Sequence, residues 1–326
     1  MIDSIKWDGR PVSAPGCYEG LPISLYHSQL ACKGPSVSSS NLRKTLVVNG
    51  GSPAHFFAYW SGNPNRAEEP ESAAFVMGRA VHHLLLGQPN FAKEFVVRPA
   101  EIGGRPWHGN RTECKNWLHD QDELGKTVLT EEQIEHIKGM ALTLGRHPLI
   151  QNGILNGLIE RSLIMRDKET GLWIKCRPDA IPTDSGDFAD LKTTPSVQWP
   201  DLVKSVTNYA YAQQAALTRT VAREVLQMDM QSWSLVFIEK TPPYCARVVQ
   251  LKPPDIDLGE KLNRMALRAI ARGLETTEWP GPAEIDGQDG AFIDQTDFYR
   301  TRVQQAWDAA EGATWDAAEG ARQQAT

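Results

Sequence analysis

Apolar residues recur at helical spacing in two stretches of the first half of the chain. In ESAAFVMGRAVHHLLLG (residues 71–87) the spacing predicts an amphipathic helix, and Gly87 is the residue type that commonly ends one. In TEEQIEHIKGMALTLGRHP (130–148) Thr130 and Gln133 stand in capping-box register, and Pro148 follows the last helical positions. Two helices are therefore expected here.

A further helical pattern lies nearer the N-terminus. The stretch PSVSSSNLRKTLVVNGGSPAHFFAYWSGNP (35–64) predicts two short helices that the glycine pair at 50–51 separates. Ser40 is the expected N-cap of the first helix. Ser52, followed by Pro53, is expected to open the second, because serine caps helices and proline is favoured at their first position.

Beyond residue 160 the period of the pattern changes to that of strands. Short apolar runs alternate with polar positions and are bounded by turn residues such as KETG (168–171). The expected elements are strands at 160–167, 171–181 and 186–194, a helix over 200–226, strands at 231–240 and 245–251, and a helix over 255–273. This order predicts an α/β fold with a central mixed sheet flanked by helices and a helical N-terminal part.

The two ends of the chain differ from its body. Residues 1–35 are rich in Pro, Gly and Ser and are interpreted as an N-terminal arm. Residues 284–326 contain a near-perfect tandem copy, AWDAAEGA followed by TWDAAEGA, and are interpreted as a flexible acidic tail that is partly helical. Nine acidic and three basic residues give this tail a charge of −6, which equals the net charge of the whole chain. The body is neutral, so charge alone neither supports nor excludes a polyanionic partner.

The composition bears on the cellular compartment and on membrane association. The first residues lack the apolar segment of a signal peptide, and no run of about 18 apolar residues occurs. The cysteines are scattered without a C-x-x-C pair, which argues against a zinc ribbon and a disulfide framework; they stand at positions 17, 32, 114, 176 and 245. We expect a cytoplasmic protein with no membrane association.

Acidic and basic residues are concentrated on two neighbouring predicted strands. Asp179 ends one strand and Asp190 lies within the next, so a turn between them brings the two carboxylates to one sheet edge. Lys192 projects to the same side as Asp190, because alternate strand residues share a face, whereas Leu191 points away. Two carboxylates beside a lysine suit Mg²⁺, a hard cation that binds oxygen ligands and can bridge to a phosphate.

Acidic residues in such a region can also serve turns or a calcium site. Asp184 and Asp187 flank Ser185 and Gly186 and are expected to be turn residues. A calcium loop is excluded, because the D-x-D-x-D-G register and its terminal glutamate are absent. Either short motif alone, PDA or DLK, is mostly turn or solvated-strand chemistry.

The stretch CRPDAI…DFADLKTT resembles the core of the PD-(D/E)xK nucleases, with Asp179 as the first acid and Asp190-Leu191-Lys192 as the D-x-K element. More closely, the chain resembles the exonuclease VIII (RecE-type) family of phage and prophage recombination exonucleases. The resemblance covers about residues 36–281 and implies a restriction-endonuclease-like core at 36–283. Its further motifs are SSSNLRKTL…GSPAHF (38–56), MGRAVHHLLLG (77–87), IERSLIMRDKETGLWIKCRPD (159–179) and YAQQAALT (211–218).

The resemblance also implies roles for single residues. Catalytic roles fall to Asp179, Asp190, Lys192 and Gln214. The metal site, expected to hold Mg²⁺ with Mn²⁺ as a substitute, is assigned to Asp179, Asp190, Leu191, His82 and Glu160.

Some of these positions have close alternatives. His83 stands beside His82, and Gln213 beside Gln214. Tyr211 is assigned to DNA binding, a role that Tyr209 could share. Tyr211, Gln214 and Thr218 fall on one helix face, but the family usually has tyrosine where Thr218 stands.

The last predicted helix carries a basic stripe. Arg264 and Arg268 follow helical spacing with Lys261 and Arg272 and are candidates for phosphate contacts, although a solvated helix face explains them equally well.

The expected function is Mg²⁺-dependent hydrolysis of linear double-stranded DNA from its ends. The resemblance implies 5′→3′ polarity, a ring-like homo-oligomer and work beside a single-strand annealing protein in phage-type recombination. Two alternatives stay open: a DNA-binding or recombination scaffold on a degenerate nuclease fold, and an endonuclease of the same superfamily. Both acids and the lysine are present, which argues against the scaffold.

Overall fold

The computed structural model of the protein describes residues 2–68, 73–88, 91–183 and 185–323. The turn role expected of Asp184 lies outside the described residues. The strands are β1 (Ile5–Lys6), β2 (Gly16–Glu19), β3 (Ser36–Ser38), β4 (Phe95–Val97), β5 (Glu101–Ile102), β6 (Arg105–Pro106), β7 (Thr127–Leu129), β8 (Leu158–Ile159), β9 (Ser162–Arg166), β10 (Trp173–Cys176), β11 (Ala180–Ile181), β12 (Asp187–Thr194), β13 (Ser232–Glu239) and β14 (Ala246–Gln250). The helices are α1 (Ile23–Tyr26), α2 (Ser39–Lys44), α3 (Pro53–Tyr59), α4 (Ala73–Leu85), α5 (Phe91–Glu94), α6 (Thr112–Glu123), α7 (Glu131–Arg146), α8 (Pro148–Gln151), α9 (Trp199–Asn208), α10 (Tyr211–Leu226), α11 (Pro253–Thr276), α12 (Pro282–Asp286) and α13 (Asp297–Gln323).

One of two five-stranded mixed sheets carries the candidate site. Its strand order is β14-β13-β12-β11-β8, with β12 and β13 parallel and the other pairs antiparallel. On one face Phe188 and Phe237 pack in the same core as apolar residues of α10 and α11. On the other face Leu191 and Val236 pack with residues of α4 and α7. Apolar residues on both faces of β12 and β13 explain this helix–sheet–helix layering and confirm the predicted α/β class.

The other sheet has the strand order β1-β2-β9-β10-β3. Strands β9 and β10 form the expected hairpin, and its turn is closed by Asp167, whose carboxylate accepts from the Thr170 N–H at 2.9 Å. The single strand expected over 171–181 is instead two strands in different sheets. Pro178 lies between β10 and β11, and proline cannot donate a ladder hydrogen bond, which favours the break there.

Residues 1–35 are not a detached arm. Strand β2 pairs antiparallel with β9, and β1 extends that sheet. Tyr18, Leu21 and Tyr26 are buried in one cluster with Ile164. The Pro- and Gly-rich composition described the turns of this segment correctly but concealed its strands, because these depend on pairing with β9, far away in the sequence.

The helix expected over 200–226 is broken into α9 and α10. Ala210 separates them with a left-handed backbone, φ 51° and ψ 46°. No glycine or proline marks this position, so the sequence pattern runs through it without a signal. After the break, α10 lies beside β12 and β13, where Gln214 contacts Asp190 and the Tyr211 ring contacts Phe237.

Two of the three predicted helix N-caps are confirmed and one is wrong. Ser52 caps α3 by accepting from the His55 N–H, and Thr130 caps α7 in a capping box with Gln133, as expected. Helix α2 begins after Ser38 and not after Ser40. The reason is that Asn41, at the third helical position, accepts from the Ser38 backbone N–H at 2.9 Å.

The chain divides into two compact units, Met1–Pro282 and Ala283–Thr326. The second unit contains α13 and all of α12 except its first residue, and α13 spans both copies of the tandem repeat. Flexibility of this acidic segment stays a prediction. Among the described residues, no helix is long and apolar enough to cross a membrane.

Deletion of residues 284–326 is expected to leave a folded protein that keeps the DNA-cleaving activity expected from the sequence. The first unit keeps Trp279, which stacks on Phe57 at 4.3 Å and closes the core cluster that includes Phe56. Affinity for DNA is expected to rise, because the deleted segment carries a charge of −6. Thermal denaturation, a DNA-cleavage assay and a filter-binding titration measure the three effects; an insoluble or inactive product would contradict the independence of the two units.

Candidate active site

Strand β12 presents Asp190 and Lys192 on one face. Leu191, between them, is fully buried in the core on the opposite face. Because β12 is flanked by β11 and β13 along part of its length, its backbone is held in place and the two polar side chains have fixed origins. The alternation expected from the sequence is therefore present in the fold.

Asp179 immediately precedes β11 and reaches the open edge of β12. Ala180 pairs with Ala189, and the Asp179 Oδ2 accepts a hydrogen bond from the Leu191 N–H at 2.6 Å. The N–H and C=O of a strand residue point to the same side, so the Leu191 carbonyl also lies on the side of Asp179. The two aspartates and this carbonyl share one edge of the sheet.

His82 on α4 contacts the first aspartate. Its Nδ1 lies 3.1 Å from the Asp179 Oδ1. His83 packs edge-on against the rings of Phe91 and Phe95, and no hydrogen bond joins it to either carboxylate among the described residues. The sequence could not decide between His82 and His83, and the structure shows that His82 is the one that contacts Asp179.

Lys192 and Gln214 hold the second aspartate. The Lys192 ammonium forms an ion pair with the Asp190 Oδ2, and the Gln214 Nε2 donates to the Asp190 Oδ1 at 3.1 Å. The ammonium also lies 4.9 Å from the centre of the Tyr211 ring, a cation–π arrangement. Asp190 and Tyr211 therefore hold the Lys192 ammonium, and Gln214 holds the Asp190 carboxylate.

The neighbouring residues on α10 have other contacts. Gln213 is buried, and its Oε1 accepts from Asn49 at 2.9 Å, so it does not replace Gln214. The Thr218 hydroxyl donates to its own helix, to the Gln214 carbonyl at 3.2 Å. Tyr209 stacks on Tyr211 with ring centres 5.7 Å apart.

Burial and charge act in opposite directions on the aspartates. Burial would raise the pKa of Asp179, but the neighbouring His82 and Lys192 outweigh it and hold this pKa below its usual value. Burial dominates at Asp190, whose pKa is raised. The two carboxylates therefore have different proton affinities within one site.

The basic partners respond to the same charges. Burial lowers the pKa of Lys192, but the attraction of Asp190 outweighs it and the pKa lies above its usual value. Burial likewise lowers the pKa of His82, and Asp179 raises it to a net value above the usual one. Lys192 is therefore a cation at neutral pH.

The site opens into a cleft with a volume of about 640 Å³. Glu160 lines this cleft, in a left-handed backbone conformation with φ 59°. A non-glycine residue in this conformation is strained, which is frequent at functional sites. The other residues that face the cleft and carry charge or an aromatic ring include Tyr26, Arg79, His82, Arg177, Asp179, Lys192, Tyr209, Tyr211 and Lys240.

The donor set fits a magnesium-type cation and does not resemble a zinc site. Among the described residues, no three His, Cys, Asp or Glu side chains converge as ligands. Mg²⁺ keeps several waters and is commonly held by one or two carboxylates, so Asp179 and Asp190 suffice, with the Leu191 carbonyl beside them. A soft metal would need sulfur or several imidazoles.

Arg264 and Arg268 do not line this cleft. Arg264 pairs with Asp167 at 2.9 Å and with Glu169 at 3.2 Å, and Arg268 pairs with Glu169 at 2.5 Å. These acids belong to the β9–β10 hairpin and compensate much of the positive charge. Phosphate binding by the basic stripe stays a prediction, and the ion pairs favour a structural role.

The chain matches a family of known proteins. A family model described as "PDDEXK-like domain of unknown function (DUF3799)" matches residues 38–286, which is most of the chain. The chain belongs to this family. The PDDEXK-like assignment supports a nuclease, and nucleases of this superfamily typically use divalent metal ions. It does not single out the exonuclease VIII family, which stays a prediction.

A solved structure shows the same fold for this PDDEXK-like chain. The crystal structure of a "Putative exonuclease" from Eubacterium rectale aligns with a TM-score of 0.56 over 85% of this chain and 96% of that one. The two sequences are 14% identical, so the likeness concerns the fold alone. No curated protein matches the chain.

Sequence reasoning missed the N-terminal side of the cleft. Tyr26 lies in the segment interpreted as an arm, yet its ring is contacted by Arg177, whose guanidinium carbon is 4.8 Å from the ring centre. Arg177 also donates to the Leu21 carbonyl at 2.6 Å and so ties the end of β10 to this segment. The sequence offered one indication that Arg177 lies at the site, because it stands two residues before Asp179.

Proposed function

We propose that the protein is a metal-dependent exonuclease that hydrolyses phosphodiester bonds of linear double-stranded DNA from its ends. The observation that carries this proposal is the convergence of Asp179, Asp190 and Lys192 at one sheet edge, open to a cleft of about 640 Å³. A purely structural ion pair has no need of a second, adjacent carboxylate whose charge adds to the burial cost.

The residues divide the chemistry of phosphodiester hydrolysis between them. A divalent cation held by Asp179, Asp190 and the Leu191 carbonyl would supply Lewis acidity at the phosphate. Lys192 offers a positive charge to the oxygens of the phosphate as negative charge grows there during attack by water. Gln214 and His82 keep the two carboxylates in position.

The cleft can accept a DNA strand. Arg79, Arg177 and Lys240 lie along it and suit the phosphate backbone, which supplies much of the affinity in protein–DNA complexes. Tyr209 is about half exposed and could stack on a base, whereas Tyr211 supports Lys192. Glu160 adds a further carboxylate to the lining of the cleft, and the metal-ligand role that the resemblance implies for it stays a prediction.

Several finer features of the proposal come from the resemblance to exonuclease VIII. They are 5′→3′ polarity, a ring-like homo-oligomer around the duplex, a single-strand annealing protein as partner, and a role in phage-type recombination in the cytoplasm. Magnesium is proposed as the physiological ion, with manganese as its substitute. An enclosing oligomer would explain how a chain with a neutral body holds DNA, because enclosure replaces bulk attraction.

Digestion of DNA with different topologies tests the proposal. Linear duplex DNA labelled at either end is expected to be degraded in Mg²⁺, whereas a covalently closed circle of the same sequence survives. Chelation of the metal is expected to stop the reaction, and Mn²⁺ to restore it. The order in which labelled nucleotides are released gives the polarity.

The same assay distinguishes the alternatives. Cleavage of closed circles would favour an endonuclease of the same superfamily. Binding of linear DNA without loss of nucleotides, after metal and pH have been varied, would favour a DNA-binding scaffold.

A further inference from the structure

A second cavity lies next to the catalytic cleft. It has a volume of about 210 Å³, enough for a phosphate group with a few waters, each of which occupies about 30 Å³. Tyr26 and His27 line both cavities. The other residues that line the second cavity are Ser38, Ser40, Asn41, Lys44, Phe56, Tyr59, Ser61, Arg66 and Lys175.

The floor of the second cavity holds a buried lysine. Lys175 on β10 pairs in register with Ser38 on β3 and is 2% exposed. Its ammonium donates to the carbonyls of Tyr26 at 2.6 Å and of Ser28 at 3.0 Å. Both acceptors are neutral, so the positive charge has no carboxylate partner among the described residues.

A buried ammonium without a counter-charge is costly to keep. Burial lowers the pKa of Lys175 to about 8. Burial, together with the nearby cations Lys175, Arg177 and Arg79, lowers the pKa of His27 to about 4. None of the described residues that line the second cavity is acidic. The potential in this region is therefore positive and invites an anion.

The walls of the cavity supply hydrogen-bond donors. The Asn41 Oδ1 already accepts from the backbone N–H and the hydroxyl of Ser38, at 2.9 and 3.1 Å, which leaves its Nδ2 as a donor. The hydroxyls of Ser40 and Ser61 face the same space, and Arg66 adds an exposed guanidinium. Hydroxyl, amide and guanidinium donors around a cation are the partners that phosphate oxygens take.

We propose that the second cavity binds a phosphate group of the same DNA strand whose scissile bond lies at Asp179 and Asp190. The DNA part of this inference rests on the proposed function, whereas the phosphate chemistry rests on Lys175 and its surroundings. The group is either a terminal phosphomonoester or an internal phosphodiester. Held there, it fixes the register of the strand relative to the carboxylates.

Lys175→Met tests the proposal, because methionine fills a similar volume without the charge. Methionine removes the cost of the buried charge but leaves the carbonyls of Tyr26 and Ser28 without this donor, so the variant is expected to fold with a Tm close to that of the wild type. Inorganic phosphate, with chelator present, is expected to raise the Tm of the wild type more than that of the variant. Lys33→Met, at an exposed lysine outside the cavity, is the matched control.

The proposal is tested by DNA binding in the presence of chelator, where no cleavage occurs. A negative result in this titration is therefore distinct from a negative result in the nuclease assay. Short blunt duplexes with a 5′-phosphate or a 5′-hydroxyl are titrated against each variant. The affinity of Lys175→Met is expected to fall about tenfold or more, the loss expected when a charged hydrogen-bond donor is removed. Loss confined to the phosphorylated duplex assigns a terminal phosphomonoester, and equal loss for both assigns an internal phosphodiester.

Affinity equal to that of Lys33→Met for both duplexes would overturn the proposal. If Lys175→Met does not fold, Arg66→Gln replaces it, because Arg66 is exposed and its loss leaves the core intact. Its expected loss is severalfold in the same titration, and unchanged affinity would again overturn the proposal.

Discussion

Lys192→Ala is expected to lower the rate of DNA cleavage by about 100- to 1000-fold, the loss found when one preorganised charge at a developing anion is removed. Asp179→Asn and Asp190→Asn are expected to have effects at least as large, because each removes a charge that we propose binds the metal. DNA affinity should change far less, since the lost interaction belongs to the transition state. Single-turnover rates at saturating linear duplex measure the effect.

Asp187→Asn is the matched control for this series. Asp187 lies on the same strand as Asp190, but it is exposed, and its carboxylate accepts from the Ser232 hydroxyl at 2.7 Å. This variant is expected to cleave at the wild-type rate. A near wild-type rate for any of the three active-site variants, with the protein folded, would show that the residue concerned has no part in the reaction.

Gly259→Ala is expected to destabilise the protein by about 2 kcal/mol or more, the size of an overpacking defect. Gly259 lies where α11 crosses α10, and a Cβ there would stand 2.4 Å from the Ala212 carbonyl oxygen. That oxygen belongs to the backbone and cannot move aside without shifting α10. Cleavage should fall as well, because α10 carries Tyr211 and Gln214.

Gly145→Ala is the control for this substitution. Gly145 is also helical, in α7, and a Cβ there would meet nothing within 4 Å. Its replacement is expected to stabilise the helix by about 0.5–1 kcal/mol, because alanine loses less backbone entropy than glycine. Urea denaturation measures the free energy of unfolding of both variants. Equal midpoints for Gly259→Ala and Gly145→Ala would show that α10 and α11 tolerate a wider spacing.

The acidic centre of the site could be predicted because strand alternation is a local property. Asp190 and Lys192 needed only the period of β12, and Asp179 needed one turn between adjacent strands. His82 and Gln214 come from helices distant in the sequence, and only the family resemblance indicated them. Their contacts with the two carboxylates are tertiary, so no local pattern contains them.

The parts that could not be predicted depend on long-range pairing. Strand β2 exists because β9 lies beside it, and a Pro- and Gly-rich segment gave no sign of this. Lys175 has the pattern of an ordinary polar strand position, yet both faces of β10 are buried. The ion pairs of Arg264 with the β9–β10 hairpin likewise join segments that are far apart in the sequence.

The left-handed residue between α9 and α10 has a consequence for how the protein can diversify. Ser205 and Tyr209, before the break, line the outer cleft, whereas Gln214, after it, holds Asp190. A continuous helix would transmit every change of length or tilt to the carboxylates. Because Ala210 interrupts the helix, α9 can vary in length or sequence without moving Gln214 and the carboxylates.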